Sequence, residues 1–178
     1  MTNSSSTARD EATAFFDTRC RPNLDGVMHV NAEYVNKRYR EDNVLLVDVR
    51  SAAEQKISMI PGSITKEQLQ TMVQEGGKLR KIGSNIDVDE VIAYCGIGGR
   101  SGSFIKNEFN GEEGAFASLL TEGKIAKVLN FELSMIGWCW ADGELADAAG
   151  PTKNVHGCGE MFASMYPQDG RYNVVLEE

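Results

Sequence analysis

The sequence predicts an α/β fold in which helices cover both faces of a central, mostly parallel sheet. Two continuous apolar runs, Val44–Val49 and Val91–Cys95, fit strands buried on both sides, since a strand with one wet face alternates instead. A third strand-like stretch is Lys127–Phe131, and the intervening segments carry apolar residues at helical spacing. Parallel strands need such crossover helices. With 178 residues and 42% apolar content, the chain suffices for one domain with tails.

The elements follow in order. Residues 1–10 are polar and read as a disordered tail, and Glu11–Arg19 fits a short helix around Phe15 and Phe16. Asn31 is placed to cap a helix carrying Tyr34, Val35, Arg38 and Tyr39, which leads into the 44–49 strand. Pro61-Gly62 marks a turn. Thr65 with Gln68 has the spacing of a capping box ahead of Leu69, Met72 and Val73, and Gly76-Gly77 ends that helix. A short helical piece is expected around Leu79 and Ile82. The 91–95 strand runs straight into glycines and a helix with Phe104, Ile105 and Phe109. Gly111 to Gly114 interrupts that helix, which resumes through Phe116, Leu119 and Leu120. Near the end, Asp169-Gly170 is a turn, and the apolar run Tyr172–Leu176 could add an edge strand or cover a partner surface, although a plain packing tail is the simpler reading.

The bulk numbers exclude several classes of function. Eighteen basic against 26 acidic residues leave a net charge of −8, with no footprint for phosphate backbones or anionic lipids. Neither nucleic acid nor membrane partners are expected. No apolar run approaches the ~20 residues of a spanning helix. The first ten residues lack the apolar segment of a secretory signal, so a cytoplasmic location is expected. Cys20, Cys95, Cys139 and Cys158 lie far apart, with no C-x-x-C pair and two histidines in the chain, which favours free thiols over zinc or disulfides. His156 with Cys158 supplies two metal ligands at most, and His29 reads as a packed residue.

Cys95 stands out as the reactive centre. It closes a strand where a helix is about to begin, and in open parallel sheets ligands collect there. Loop amides and the helix N-terminus point at that spot with partial positive charge. Gly96, Gly98 and Gly99 let the backbone around Ile97 fold into a nest of inward N–H groups, and Arg100 adds a full charge at the rim. A cysteine with pKa near 8.5 is only about 3% thiolate at neutral pH. A depression of about two units, roughly 2.7 kcal/mol, makes the thiolate dominant. A cysteine ending a buried strand is ordinarily an inert packed thiol. Three glycines and an arginine within five residues reverse that reading here.

At this point a resemblance appears. Cys95-Gly-Ile-Gly-Gly-Arg100-Ser101 resembles the active-site loop of the rhodanese family: a cysteine, four residues, an arginine and a small hydroxyl residue. Leu46-Val-Asp48-Val-Arg50 with Glu54 and Ile60-Pro61-Gly62-Ser63-Ile64 resembles the family's Asp-Val-Arg segment and Ile-Pro-Gly turn. Val128 to Trp138 resembles the segment closing the domain. The likeness spans residues 28–145, leaving 1–27 as an N-terminal tail and 146–178 as a C-terminal extension. Two departures are Ser58-Met59 where Gly-His is common, and Gly96 where many members carry a cation; residues 110–117 look inserted.

The resemblance implies a rhodanese-like fold and sulfurtransferase activity. In it the Cys95 thiolate takes a sulfane sulfur from a donor such as thiosulfate and passes it to a thiol or cyanide. Gly96, Ile97, Gly98, Gly99, Arg100 and Ser101 would hold the substrate, and no cofactor or metal is needed. A protein acceptor is an open alternative, as is a partner-dependent sulfur-carrier or regulatory module. So is a cysteine phosphatase or arsenate reductase, although phosphatases in general have five residues between cysteine and arginine. Asp48 and Arg50 are expected to brace the loop, with Glu54 as partner of Arg50. Trp138, Cys139 and Trp140 are expected in the core, and Cys20 or Cys158 would resolve a sulfur species on Cys95 if their tails fold back over the loop.

Overall fold

The computed structural model describes residues 4–176, and side chains from residue 8 on. Helix α1 (Ser4–Phe15) continues through a π-helical turn, Phe16–Cys20, and a 3-10 turn, Arg21–Asn23. The chain is thus helical from residue 4, where a disordered tail to residue 10 was expected; residues 1–3 lie outside the described residues. There follow β1 (His29–Val30), α2 (Ala32–Arg38), β2 (Val44–Asp48), α3 (Ala52–Ile57), β3 (Ile64–Thr65) and α4 (Lys66–Gln74). Then come β4 (Glu90–Tyr94), α5 (Gly99–Glu108), α6 (Ala117–Thr121), β5 (Lys127–Phe131) and α7 (Ser134–Trp140). The extension holds β6 (Leu145–Asp147), β7 (Gly150–Thr152), β8 (Asn154–His156), α8 (Glu160–Ala163) and β9 (Asn173–Val175). No described helix is long and apolar enough to cross a membrane.

The expected caps form. Asn31 accepts the Tyr34 amide, and Thr65 and Gln68 close a reciprocal box at the head of α4. Ser51 and Glu54 form another at α3. No helix forms around Leu79 and Ile82. Leu79 is buried and bonds the Val88 amide at 2.8 Å, whereas Ile82 is 96% exposed. The two apolar residues do not share a face, and an Arg80–Asp87 bridge replaces the helix.

The central sheet has the order β1-β5-β4-β2-β3, with every pairing parallel. Its two faces follow from alternation along the strands. Leu46, Ile92, Leu129 and Phe131 pack with Val35, Ile136 and Trp138 on one side. Leu45, Val47, Val91 and Val128 pack with Leu69, Ile105 and Phe109 on the other. The chain runs outward from β2 to β3, then returns to β4 on the opposite side of β2, so the C-terminal ends of β2 and β4 flank the point where the order reverses. Asp48 ends β2, and Cys95 follows β4.

The extension packs back onto this frame. Met59 and Ala146 exchange backbone hydrogen bonds at 2.8 and 3.0 Å. The Trp138 and Trp140 indoles donate to the Glu144 and Met165 carbonyls, each at 2.8 Å, in keeping with packing roles. The 172–176 run does supply a strand, β9, but it pairs with β8 in a separate two-stranded ribbon and not at the edge of the main sheet.

Candidate active site

The loop after β4 is fixed from beneath by the start of α7. The Cys95 amide donates to Ser134 Oγ at 3.0 Å, and the Met135 and Ile136 amides donate to the Cys95 and Gly96 carbonyls at 3.2 Å each. This clamp requires left-handed backbone at Leu133 (φ 58°) and Ser134 (φ 41°). Gly98 sits at φ 95°, and a Cβ there would lie 2.8 Å from the Phe16 ring and 3.1 Å from the Phe131 carbonyl oxygen. Only glycine fits both demands.

With the loop so held, the Gly98 amide donates to Cys95 Sγ at 3.1 Å, and Ser101 Oγ lies 3.6 Å from the sulfur. Burial alone pushes the Cys95 thiol up. The Ser101 hydroxyl, the Arg100 charge and the amides of Ser101 and Gly98 outweigh it, so the pKa falls below the ordinary cysteine value. Ser101 is shared, because its hydroxyl also donates to Asn130 Oδ1 at 2.6 Å. Asn130 in turn donates from Nδ2 to the Gly98 carbonyl at 3.0 Å and meets His29 Nδ1 at 3.1 Å, so His29 packs and supports without touching the sulfur. Ser134 and Asn130 were not singled out by the sequence reading.

Arg100 does not stand free at the rim. Its Nη1 and Nη2 donate to Glu54 Oε2 and Oε1 at 2.7 and 2.6 Å, a bidentate pair. The expected pairing of Glu54 with Arg50 is therefore corrected: Glu54 belongs to Arg100. Arg50 turns inward, where its Nη2 and Nε reach Asp48 at 2.7 to 3.1 Å and its Nη2 also reaches the Ser58 carbonyl. Both side chains are fully buried, and the guanidinium lies 5.7 Å from the centre of the Tyr94 ring. The Tyr94 hydroxyl accepts the Ile60 amide at 3.1 Å. Asp48 and Arg50 thus sit behind the residue preceding Cys95, tying β4 to the 58–63 turn without reaching the sulfur.

Both ends of the chain close over the loop. Cys95 is 1% exposed and faces a cavity of about 270 Å³ bounded by Phe15, Cys20, Ile97, Arg100, Cys158 and Phe162. Phe15 and Phe162 meet edge to face at 5.2 Å across it. The Cys158 thiol donates to Glu54 Oε1 at 2.9 Å. Burial, that hydrogen bond and the Glu54 charge push Cys158 up to about 12. Burial also pushes Glu54 up, but the bonds from Arg100, Cys158 and Ser51 hold its carboxyl well below the usual carboxylate range. Glu54, His156 and Cys158 bring ligand atoms within 4.8 Å of one another. Both Glu54 oxygens already accept hydrogen bonds from Arg100, and a cation there would stand beside its positive charge.

The fold is a parallel α/β domain with a buried cysteine of lowered pKa in a glycine loop at the strand-order reversal. The chain belongs to the rhodanese-like domain family, whose sequence profile matches residues 31–139. No curated protein matches it. Similar solved structures include a thiosulfate sulfurtransferase from Pseudomonas aeruginosa, 20% identical, with a TM-score of 0.47 over 80% of this chain and 23% of that one. This chain therefore spans under a quarter of that protein. A rhodanese-like domain protein from Staphylococcus aureus is 18% identical, with a TM-score of 0.41 over 63% of this chain and 91% of that one. A Rhodopseudomonas palustris protein of unknown function, described as a possible tyrosine phosphatase, is 19% identical, with a TM-score of 0.43 over 80% and 94% of the two chains.

Proposed function

We propose that this chain is a sulfurtransferase working through a Cys95 persulfide. The observation that carries the reading is the Gly98 N–H on Cys95 Sγ at 3.1 Å, in a thiol whose pKa is lowered despite burial. The thiolate attacks the outer sulfur of a donor, the Cys95 sulfur–sulfur bond forms, and the donor's own bond breaks with its electron pair leaving on sulfite or on a thiolate. A thiol or cyanide then attacks the outer sulfur, and Cys95 departs as the thiolate the loop is built to hold. Asp48, Arg50, Asn130 and Ser134 position the loop.

Two features favour a small or partner-delivered donor over bulk thiosulfate: Cys95 is 1% exposed, and Glu54 offsets the Arg100 charge. They also support the second reading, a carrier that loads or unloads against a protein partner. Phosphatase chemistry is disfavoured because its leaving oxygen needs a protonated acid, and Glu54 beside the loop is held ionised. Mass spectrometry after exposure to thiosulfate and to inorganic polysulfide tests the proposal. One added sulfur on Cys95, removed by cyanide, supports it; sulfur accepted equally by Cys95→Ser refutes the nucleophile.

A further inference from the structure

Two further thiols border the Cys95 site, and they differ in character. Gly96 and Gly99 make room for them: a Cβ at 96 would lie 3.2 Å from Cys158 Sγ, and one at 99 would lie 3.1 Å from Cys20 Sγ. Cys158 is tied as a neutral thiol to Glu54 at 2.9 Å, which keeps it a poor nucleophile. Cys20 is half-buried, and among the described residues no carboxylate bonds to its thiol as Glu54 does to Cys158. It lines the cavity that contains Cys95, and it also lines a groove of about 400 Å³ on the outer side, with Arg19, Asn23, Leu24 and Ser103. It is therefore placed in the wall between a nucleophile that is 1% exposed and the surface. The wall residue ends the π-helical turn Phe16–Cys20, a rare local geometry that recurs at functional sites.

We propose that Cys20 is a second sulfur-carrying residue, which takes the sulfane sulfur from Cys95 inside the cavity and presents it in the outer groove to thiols too large to enter. The step rests on the persulfide chemistry proposed above. The Cys20 thiolate, its proton lost to water in the groove, attacks the outer sulfur of Cys95–S–SH. A bond forms between Cys20 Sγ and that sulfur, the bond to Cys95 Sγ breaks, and the electron pair leaves on Cys95, where the Gly98 amide receives it. Nothing is oxidised or reduced overall. Burial and the nearby Cys95 charge both raise the Cys20 pKa, so the second thiol is quiet while Cys95 is an unloaded thiolate.

The test loads the full chain briefly with inorganic polysulfide, traps thiols with iodoacetamide, and maps the added sulfur by peptide mass spectrometry over time. The wild type is expected to carry it first on Cys95 and then on Cys20, with none on Cys20 in Cys95→Ser. Cys20→Ser should stay loaded on Cys95 and deliver sulfur to glutathione about tenfold more slowly. Sulfur that stays on Cys95 or moves to Cys158 overturns the relay alone, whereas sulfur that reaches Cys20 equally well in Cys95→Ser overturns both the relay and Cys95 as the nucleophile. Failure of Cys95 to load at all overturns both the relay and the sulfurtransferase reading. The wild-type map needs no variant, so a misfolded substitution leaves the outcome decisive.

Discussion

Replacing Glu54 by Gln should weaken the fold and strengthen the grip on thiosulfate at the same time. Glu54 is 5% exposed and accepts two bonds from Arg100, one from the Ser51 amide and one from Cys158. Gln retains one acceptor oxygen, so one guanidinium N–H is released toward the cavity. A hydrogen bond from that cation to an anionic donor is worth about 1.5–3 kcal/mol, or roughly ten- to a hundredfold in affinity. Loss of the ion pair should lower stability by about 1–2 kcal/mol, discounted because Arg100 is 49% exposed and can be hydrated, while glutamine can keep the α3 capping box as Gln68 does in α4. The pH dependence has a definite sign. A carboxyl whose folded pKa is depressed stabilises the protein above its unfolded pKa, about 4.3, and that contribution is lost as pH falls toward the folded value. Wild type and variant should therefore differ most at neutral pH, begin to converge below about pH 4, and meet only as the pH approaches the depressed folded value. Thiosulfate-to-cyanide kinetics and guanidinium denaturation measure the two effects. Unchanged thiosulfate affinity in a folded variant would refute the claim that Glu54 withholds the Arg100 charge from the donor.

Cys95 should alkylate with iodoacetamide at a midpoint below that of an ordinary cysteine, and Arg100→Ala should raise it; an unchanged profile would assign the effect to the amides. Cys158 should resist alkylation until the pH nears its value of about 12. Gly98→Ala should cost at least about 1–2 kcal/mol for its left-handed backbone, before the contact with Phe16, and slow Cys95 alkylation by displacing the amide. Asp48→Ala should cost roughly 3–5 kcal/mol in guanidinium denaturation, because it strands the buried Arg50 charge. A loss under about 1 kcal/mol there would show that water reaches Arg50.

Much of the sheet was legible because its signals are local. Apolar runs at 44–49 and 91–95 admit few alternatives, and Thr65-Gln68 and Asn31 cap where their spacing says they should. The position of Cys95 and its glycine loop between a strand and a helix was legible for the same reason. Partnerships across the chain were not. Glu54 is four residues from Arg50 and 46 from Arg100, so helical spacing favoured the wrong partner; Arg50 is turned away by Asp48 two residues before it. The false helix near Leu79 rested on a three-residue spacing whose second member faces solvent. Ser134 escaped notice because its role depends on left-handed backbone that neither Leu133 nor Ser134 advertises.

The division between what the family profile covers and what it leaves out bears on substrate choice. Residues 31–139 contain the loop, Glu54, the Asp48–Arg50 pair, Asn130 and Ser134, which together hold Cys95 in place. Phe15, Cys20, Cys158 and Phe162, which bound the cavity in front of it, all lie outside that span. The N-terminal segment is seated by the loop itself. Cβ atoms added at Gly98, Gly99 and Gly102 would come within 2.8, 3.1 and 2.4 Å of Phe16, Cys20 and Leu24. Those partners are four residues apart, so successive turns of the N-terminal segment rest on the start of α5. Gly98 and Gly99, which read in sequence as part of an anion nest, are therefore also seats of a wall over it, and substituting either would disturb that wall as well as the amides. The bonds that fix Cys95 therefore come from the span the family profile covers, while the outer walls of its cavity come from the segments on either side of it.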